Sequence, residues 1–313
     1  MATVFSRTAL LAAALAVAAA AAQLSGPAQT VLPASTRQVI SINYHRLATD
    51  AAAQQLEAQL LPGGMADLGA LLARGGIIPA NDLNRLTFAT YQATKGIGLI
   101  GIAEGNLSAM DLSKFYTKTK KQPDPPQIDG VNTYTFNGLT FFMADSSTLV
   151  FGSREAVTDA IQTEQGGQKI GQNEQLSNMI AGTQSSDVWS VLDAAGSQAM
   201  VRSMLGSAGG GMAASLIDQH FNGARYTIAF GDPVQLNLEM MTTDALSAAA
   251  LSTGLNAAIA IRQKQEKNPQ AKALLGQVQV DSAGNHAFLQ LSAPASSLDS
   301  LLKTDLMQTI LSR

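Results

Sequence analysis

The chain has 313 residues, a formal net charge of −3, three histidines and no cysteine. Without thiols it has no thiolate nucleophile, no cysteine-ligated zinc or iron–sulfur cluster and no disulfide. Its stability therefore rests on a packed core, which chains of ~300 residues supply by burying about 75% of their extended surface. The mild acidity and the lack of a basic stripe exclude the usual face of a nucleic-acid binder.

Residues 1–22 read as an export signal. Arg7 precedes an unbroken apolar run over 9–22, and Ala20, Ala21 and Ala22 place small residues before a cut at Gln23. A basic n-region, an apolar h-region and a small-residue cleavage site form the pattern of a secretory signal peptide. A spanning helix needs about 20 apolar residues; this run is shorter, and Gly26 and Pro27 follow at once. No cysteine is present for lipid attachment, and a single Arg does not make a twin-arginine signal. No later segment reads as a span, since 245–261 carries Ser, Thr and Asn. The expectation is a Sec-type signal released from a soluble protein of the periplasm or cell exterior.

After the signal, a first unit is expected over 23–165. Residues 37–44 read as a strand, and Thr49 or Asp50 as the cap of a helical region broken by Pro62-Gly63-Gly64. Strands follow at 85–92 and 98–104. Ser108 and Asp111 then open a helix to Lys120. Strands at 132–136, 139–144 and 148–152 come next, with Asn137-Gly138 as a hairpin turn. Ser153 caps a helix to about Glu164.

A linker with a short helix is expected over 166–185, and a second unit over 186–313. Here 188–192 reads as a strand, with helices around 198–205 and 212–221 separated by a glycine-rich stretch. Strands at 224–230 and 234–241 lead to a long helix over 244–265 capped by Thr243. A hairpin of 275–280 and 285–291 and a last helix opened by Pro294 end the chain. Both units follow the order strand, two helices, hairpin, helix, hairpin, helix. The fold class is thus α+β: two tandem pseudo-repeated units of mostly antiparallel strands with helices packed on one face. Whether the units share one sheet is left open.

The chemical motifs are few. Gly96-Ile-Gly98-Leu-Ile-Gly101 matches the dinucleotide fingerprint in letters, but no helix can begin directly after it, so it reads as a glycine-rich strand. The stretch 206–211 lacks the Lys-Ser/Thr ending of a phosphate loop and reads as a connection between helices. His45, His220 and His286 are too scattered for a metal site, and Asp218 and His220, two apart, would face different sides of a helix. Ser153 lacks the second glycine of a nucleophile elbow and reads as a helix cap. No residue is assigned as catalytic, cofactor-binding or metal-ligating. Trp189, Met200, Met204, Met212 and His220 form the candidate ligand or partner surface, the methionines because their pliable side chains suit irregular apolar partners.

The segment 148–161, with a strand ending at Gly152 and a helix after it, the opening strand at Val39 to Ile42 and the strand pair around Gly96 to Gly101 carry a resemblance. In outline the first unit resembles uncharacterised exported bacterial proteins of the domain-of-unknown-function 3352 type, acidobacterial ones among them. The resemblance implies an exported α+β protein and supplies no catalytic residues. The expected function is therefore non-catalytic: binding of a partner protein or an apolar ligand in the cleft between two repeated units. The rivals are a secreted hydrolase built on Asp218, His220 and a serine, and a self-associating structural component of the envelope.

Overall fold

The fold was analysed in a computed structural model that describes residues 23–50, 53–54, 66–116, 124–183, 185–205, 220–297 and 300. The expected signal, the broken helical region around residue 62, the helix at 212–221 and the end of the chain lie largely or wholly outside these residues. Met212 and Asp218 do too.

The strands are β1 Thr36–Asn43, β2 Leu83–Ala93, β3 Gly96–Gly105, β4 Gln127–Ile128, β5 Val131–Asn132, β6 Tyr134–Phe136, β7 Leu139–Asp145 and β8 Thr148–Gly152, then β9 Val188–Leu192, β10 Phe221–Ala229, β11 Val234–Thr242, β12 Gln279–Ala283 and β13 His286–Ala293. Eleven of them form one sheet in the order β12-β13-β11-β10-β9-β1-β2-β3-β8-β7-β6. All neighbouring pairs are antiparallel, as hairpin connections require. The question left open by the sequence is answered here: β1 and β9 pair along residues 38–42 and 188–192, so both halves of the chain share a single sheet. From this seam the strands run outward as β1-β2-β3-β8-β7 on one side and β9-β10-β11-β13-β12 on the other.

The helices are α1 Gly26–Val31, α2 Tyr44–Thr49, α3 Ala66–Gly75, α4 Pro79–Asp82, α5 Arg154–Gln165, α6 Glu174–Gly182, α7 Ala194–Leu205, α8 Ala245–Gln265 and α9 Pro269–Leu275. They do not all lie on one face, which is a correction. Helices α2, α3, α7, α8 and α9 build one core against Ile40, Ile42, Phe88, Tyr226, Leu238 and Leu289. Helices α1, α5 and α6 build a second core on the opposite face, against Val39, Ile102, Val150 and Val191. Strands β8 and β9 are consequently buried at every position. Strand β11 keeps the alternation of a sheet with one face covered.

Several local expectations are corrected. Gly26 and Pro27 do not bar a helix but begin α1, with Pro in the first turn and Ser25 as the cap. Asp111 caps a single 3-10 turn, Leu112–Phe115, where a longer helix was expected. Asn268 and Pro269 start α9, so the strand expected from residue 275 begins only at Gln279. Asp244 rather than Thr243 caps α8, accepting from the Ser247 amide at 2.8 Å. The hairpin β4–β5 turns on Asp129-Gly130, both with positive φ, as does the expected turn at Asn137-Gly138.

Among the described residues α8 alone is long and apolar enough, by length and composition, to cross a membrane, with a mean hydropathy of 1.2. Its Ser, Thr and Asn residues do not prevent this, contrary to the sequence reading. Leu251, Leu255 and Ile259 on its inner side are buried against the sheet core, the position of a core helix.

Candidate functional site

The glycine fingerprint is a strand. All three of its glycines lie in β3, and no helix follows. A Cβ on Gly98 would come within 2.3 Å of the Tyr91 ring, and one on Gly101 within 2.2 Å of the Phe151 ring. Gly98 and Gly101 are therefore gaps into which aromatic side chains of β2 and β8 fold, whereas Gly96, with a φ of 87° and open space around it, serves the turn between β2 and β3. Tyr91 also donates to Asp159 of α5 at 2.6 Å. Burial, and then that carboxylate, raise its phenol above the ordinary range.

The sequence-selected surface does not form one site. Trp189 is 4% exposed and belongs to the core on the α6 side of the sheet. Met200 and Met204 of α7 are buried in the core on the other side. His220 sits at the start of β10, with Nδ1 2.9 Å from the Thr243 hydroxyl and 3.4 Å from Asp244 Oδ2. Ser247 is nearby, but its hydroxyl donates to Asp244 at 2.9 Å, as the helix cap requires. A hydrolytic triad needs the serine to donate to the imidazole and the carboxylate to orient the other ring nitrogen. Here Asp244 itself accepts the hydrogen bond of the serine hydroxyl. Ser153 likewise caps α5, accepting from the Ala156 amide at 3.1 Å. Among the described residues no three His, Asp or Glu side chains gather as metal ligands.

The structure brings together a different set at the seam. On the α6-side face, register places Asn43 of β1 opposite Arg85 of β2, and Arg85 opposite Glu104 of β3. One row along, Ser41 lies between Thr87 and Trp189. Ser41, Asn43, Arg85, Glu104 and Trp189, with His45, Ser185 and Ser186, line an open cavity of about 460 Å³. This is within the ~300–1,000 Å³ usual for small-molecule sites. The walls are firmly held. Asn43 caps α2, accepting from the Arg46 amide at 3.2 Å, and its own amide donates to the Asp187 carbonyl at 2.7 Å. Arg46 pairs with Asp187 at 3.5 Å, and Asp187 also accepts from the Phe230 amide at 2.7 Å. Ser186 donates to the Ile228 carbonyl at 2.7 Å. The turn out of β1 and the entry to β9 are thus fixed to each other across the seam.

Glu104 lines this cavity, and its Oε2, closed off from solvent, has no hydrogen-bond partner among the described residues, Arg85 included. Opposite charges on facing strand positions ordinarily pair, and a carboxylate oxygen removed from water without a donor is costly. The cavity therefore carries an acidic and a basic side chain in its lining, Glu104 and the exposed Arg85, that do not pair through Oε2 of Glu104. Sequence reading missed it because the only local signal is a glutamate ending the apolar strand Ile100-Gly-Ile-Ala-Glu104.

The same face carries a second polar surface on β10, β11 and β13, bordered by Gly182 and Thr183 at the end of α6. Arg225 Nε lies 2.6 Å from Glu239 Oε2, and His286 Nδ1 2.5 Å from Glu239 Oε1. Thr227, Asn237 and Gln290 follow in register. A shallow pocket of about 260 Å³ lies over them. Its charges are already paired, so it offers less to a ligand than the seam does.

Comparison with known proteins assigns the chain no family. No protein-family model and no curated protein matches the chain. Among solved structures it is similar to TP0453 in crystal form I, with 9% identity and a TM-score of 0.47, covering 91% of this chain and 100% of that one. Crystal form III gives 10% identity and a TM-score of 0.47, over 89% and 98%.

Proposed function

We propose that this is an exported, non-catalytic binding protein of the periplasm or cell exterior, which holds a small polar ligand in the cavity where the two halves of its sheet meet. The observation that carries this reading is a polar cavity whose lining brings together Glu104 and Arg85 without a hydrogen bond between them at Oε2 of Glu104. The lining turns the apolar ligand expected from the sequence into a polar one. Export is supported by Arg7, the apolar run over 9–22 and the small residues before Gln23. The parallel outward order of strands in the two halves supports an origin by duplication.

Two measurements test this. Fractionation and N-terminal sequencing are expected to find a chain beginning at Gln23 outside the cytoplasm; a cytoplasmic chain retaining Met1 or Ala2 sinks the export part. Native mass spectrometry of the purified protein is expected to show a small bound species that Glu104→Gln releases. A species bound equally to both proteins places the ligand elsewhere.

A further inference from the structure

We propose that the seam cavity is built for a zwitterion: a free α-amino acid, or a short peptide that presents an ammonium and a carboxylate close together. This rests on the reading of the cavity as a ligand site and names the chemistry it selects. Glu104 lines the cavity with a carboxylate whose Oε2 has no donor among the described residues, and a primary ammonium reaching that carboxylate from the cavity brings three donors and the opposite charge. A simple cation alone is a poor fit, because Arg85 stands directly across the strand pair and repels it. A simple anion fails for the reverse reason, since it meets Glu104. A ligand with both charges answers both residues at once, its ammonium on Glu104 and its carboxylate on Arg85, whose planar fork suits carboxylate geometry. Asn43 and Ser185 supply further hydrogen-bonding groups.

Titration calorimetry on the full exported chain decides this, with glycine, L-alanine, L-serine and glycylglycine as probes and ethylamine and acetate as the two half-ligands. At least one zwitterion is expected to bind, and each half-ligand to bind at least tenfold more weakly. Glu104→Gln and Arg85→Gln are each expected to weaken the zwitterion by roughly 10- to 100-fold, the loss of one charged hydrogen bond. Thermal melts of the unliganded variants, expected to match or exceed the parent for Glu104→Gln, separate lost binding from lost folding. Ethylamine binding as tightly as the zwitterions, in a manner sensitive to Glu104, overturns the zwitterion while leaving a cation-binding cavity. A zwitterion that binds with Arg85→Gln unaffected overturns it in the same way. Failure of every probe on a folded protein that still carries a Glu104-dependent co-purified species rejects this class alone, and failure with no such species rejects the cavity as a site.

Discussion

Replacing Gly101 by alanine tests why the glycine fingerprint exists. The new Cβ would lie 2.2 Å from Cζ and 2.3 Å from Cε2 of Phe151. Phe151 is 2% exposed and packs edge-on against Phe88 with centroids 6.2 Å apart, so its ring has little room to turn aside. Overfilling a packed core costs about 1–3 kcal/mol. Against this, alanine restricts the unfolded chain and gains about 0.4–1 kcal/mol where the backbone tolerates it. The steric effect wins, leaving a net loss of about 1–2 kcal/mol and a Tm lower by about 2–8 °C. In a Phe151→Ala background, itself costing about 3–5 kcal/mol, the same substitution meets no ring and becomes neutral or mildly stabilising. Chemical denaturation of the four proteins measures both steps. Equal losses in the two backgrounds, or no loss in the parent, refute the steric account of Gly101.

Ser153→Ala is expected to destabilise by about 1 kcal/mol through loss of the α5 cap, without touching any ligand affinity; a denaturation midpoint that does not move contradicts the capping role. Glu239→Ala strands the partly buried Arg225 guanidinium and frees His286, with an expected loss of about 2 kcal/mol; it is checked by the same denaturation experiment, with Glu239→Gln losing less. The Asp244 carboxyl is held below its ordinary range by the Ser247 amide, then by the Ser247 and Thr243 hydroxyls. A carboxyl depressed in the folded state stabilises fully above its unfolded value, and that contribution disappears as pH falls through the folded value. The Tm advantage of the parent over Asp244→Asn is therefore expected near neutral pH and to shrink in the acid range below the usual carboxylate values. An advantage that is flat with pH rejects the assignment.

Much of the local structure was legible because it depends on neighbours along the chain. Strand β9 was read at its observed bounds, and β7, β8 and β11 to within a residue, since alternation or unbroken apolar runs bounded by turn residues are local patterns. The turn at Asn137-Gly138 and the Ser153 cap follow from residue chemistry over two or three positions. A sign of burial on both faces was also there: residues 148–152 and 188–192 hold few polar side chains, as strands covered on two sides do. The candidate surface failed for a geometric reason. Trp189, Met200 and Met204 lie within sixteen positions of one another, yet a strand and the helix after it send them to opposite sides of the sheet.

The sequence alone determined the composition limits: no thiol chemistry, no basic face, and α+β elements joined by hairpins. Each of these is a property of residue types or of short-range patterning. The tertiary structure alone decided that one sheet joins both halves and that helices cover both sides of its centre. It also decided that Arg85 and Glu104, nineteen positions apart, meet across a strand pair beside Ser41 and Trp189. Register and strand order depend on which distant segments pair. That choice is set by the packing of two cores at once, and no single stretch of the chain records it.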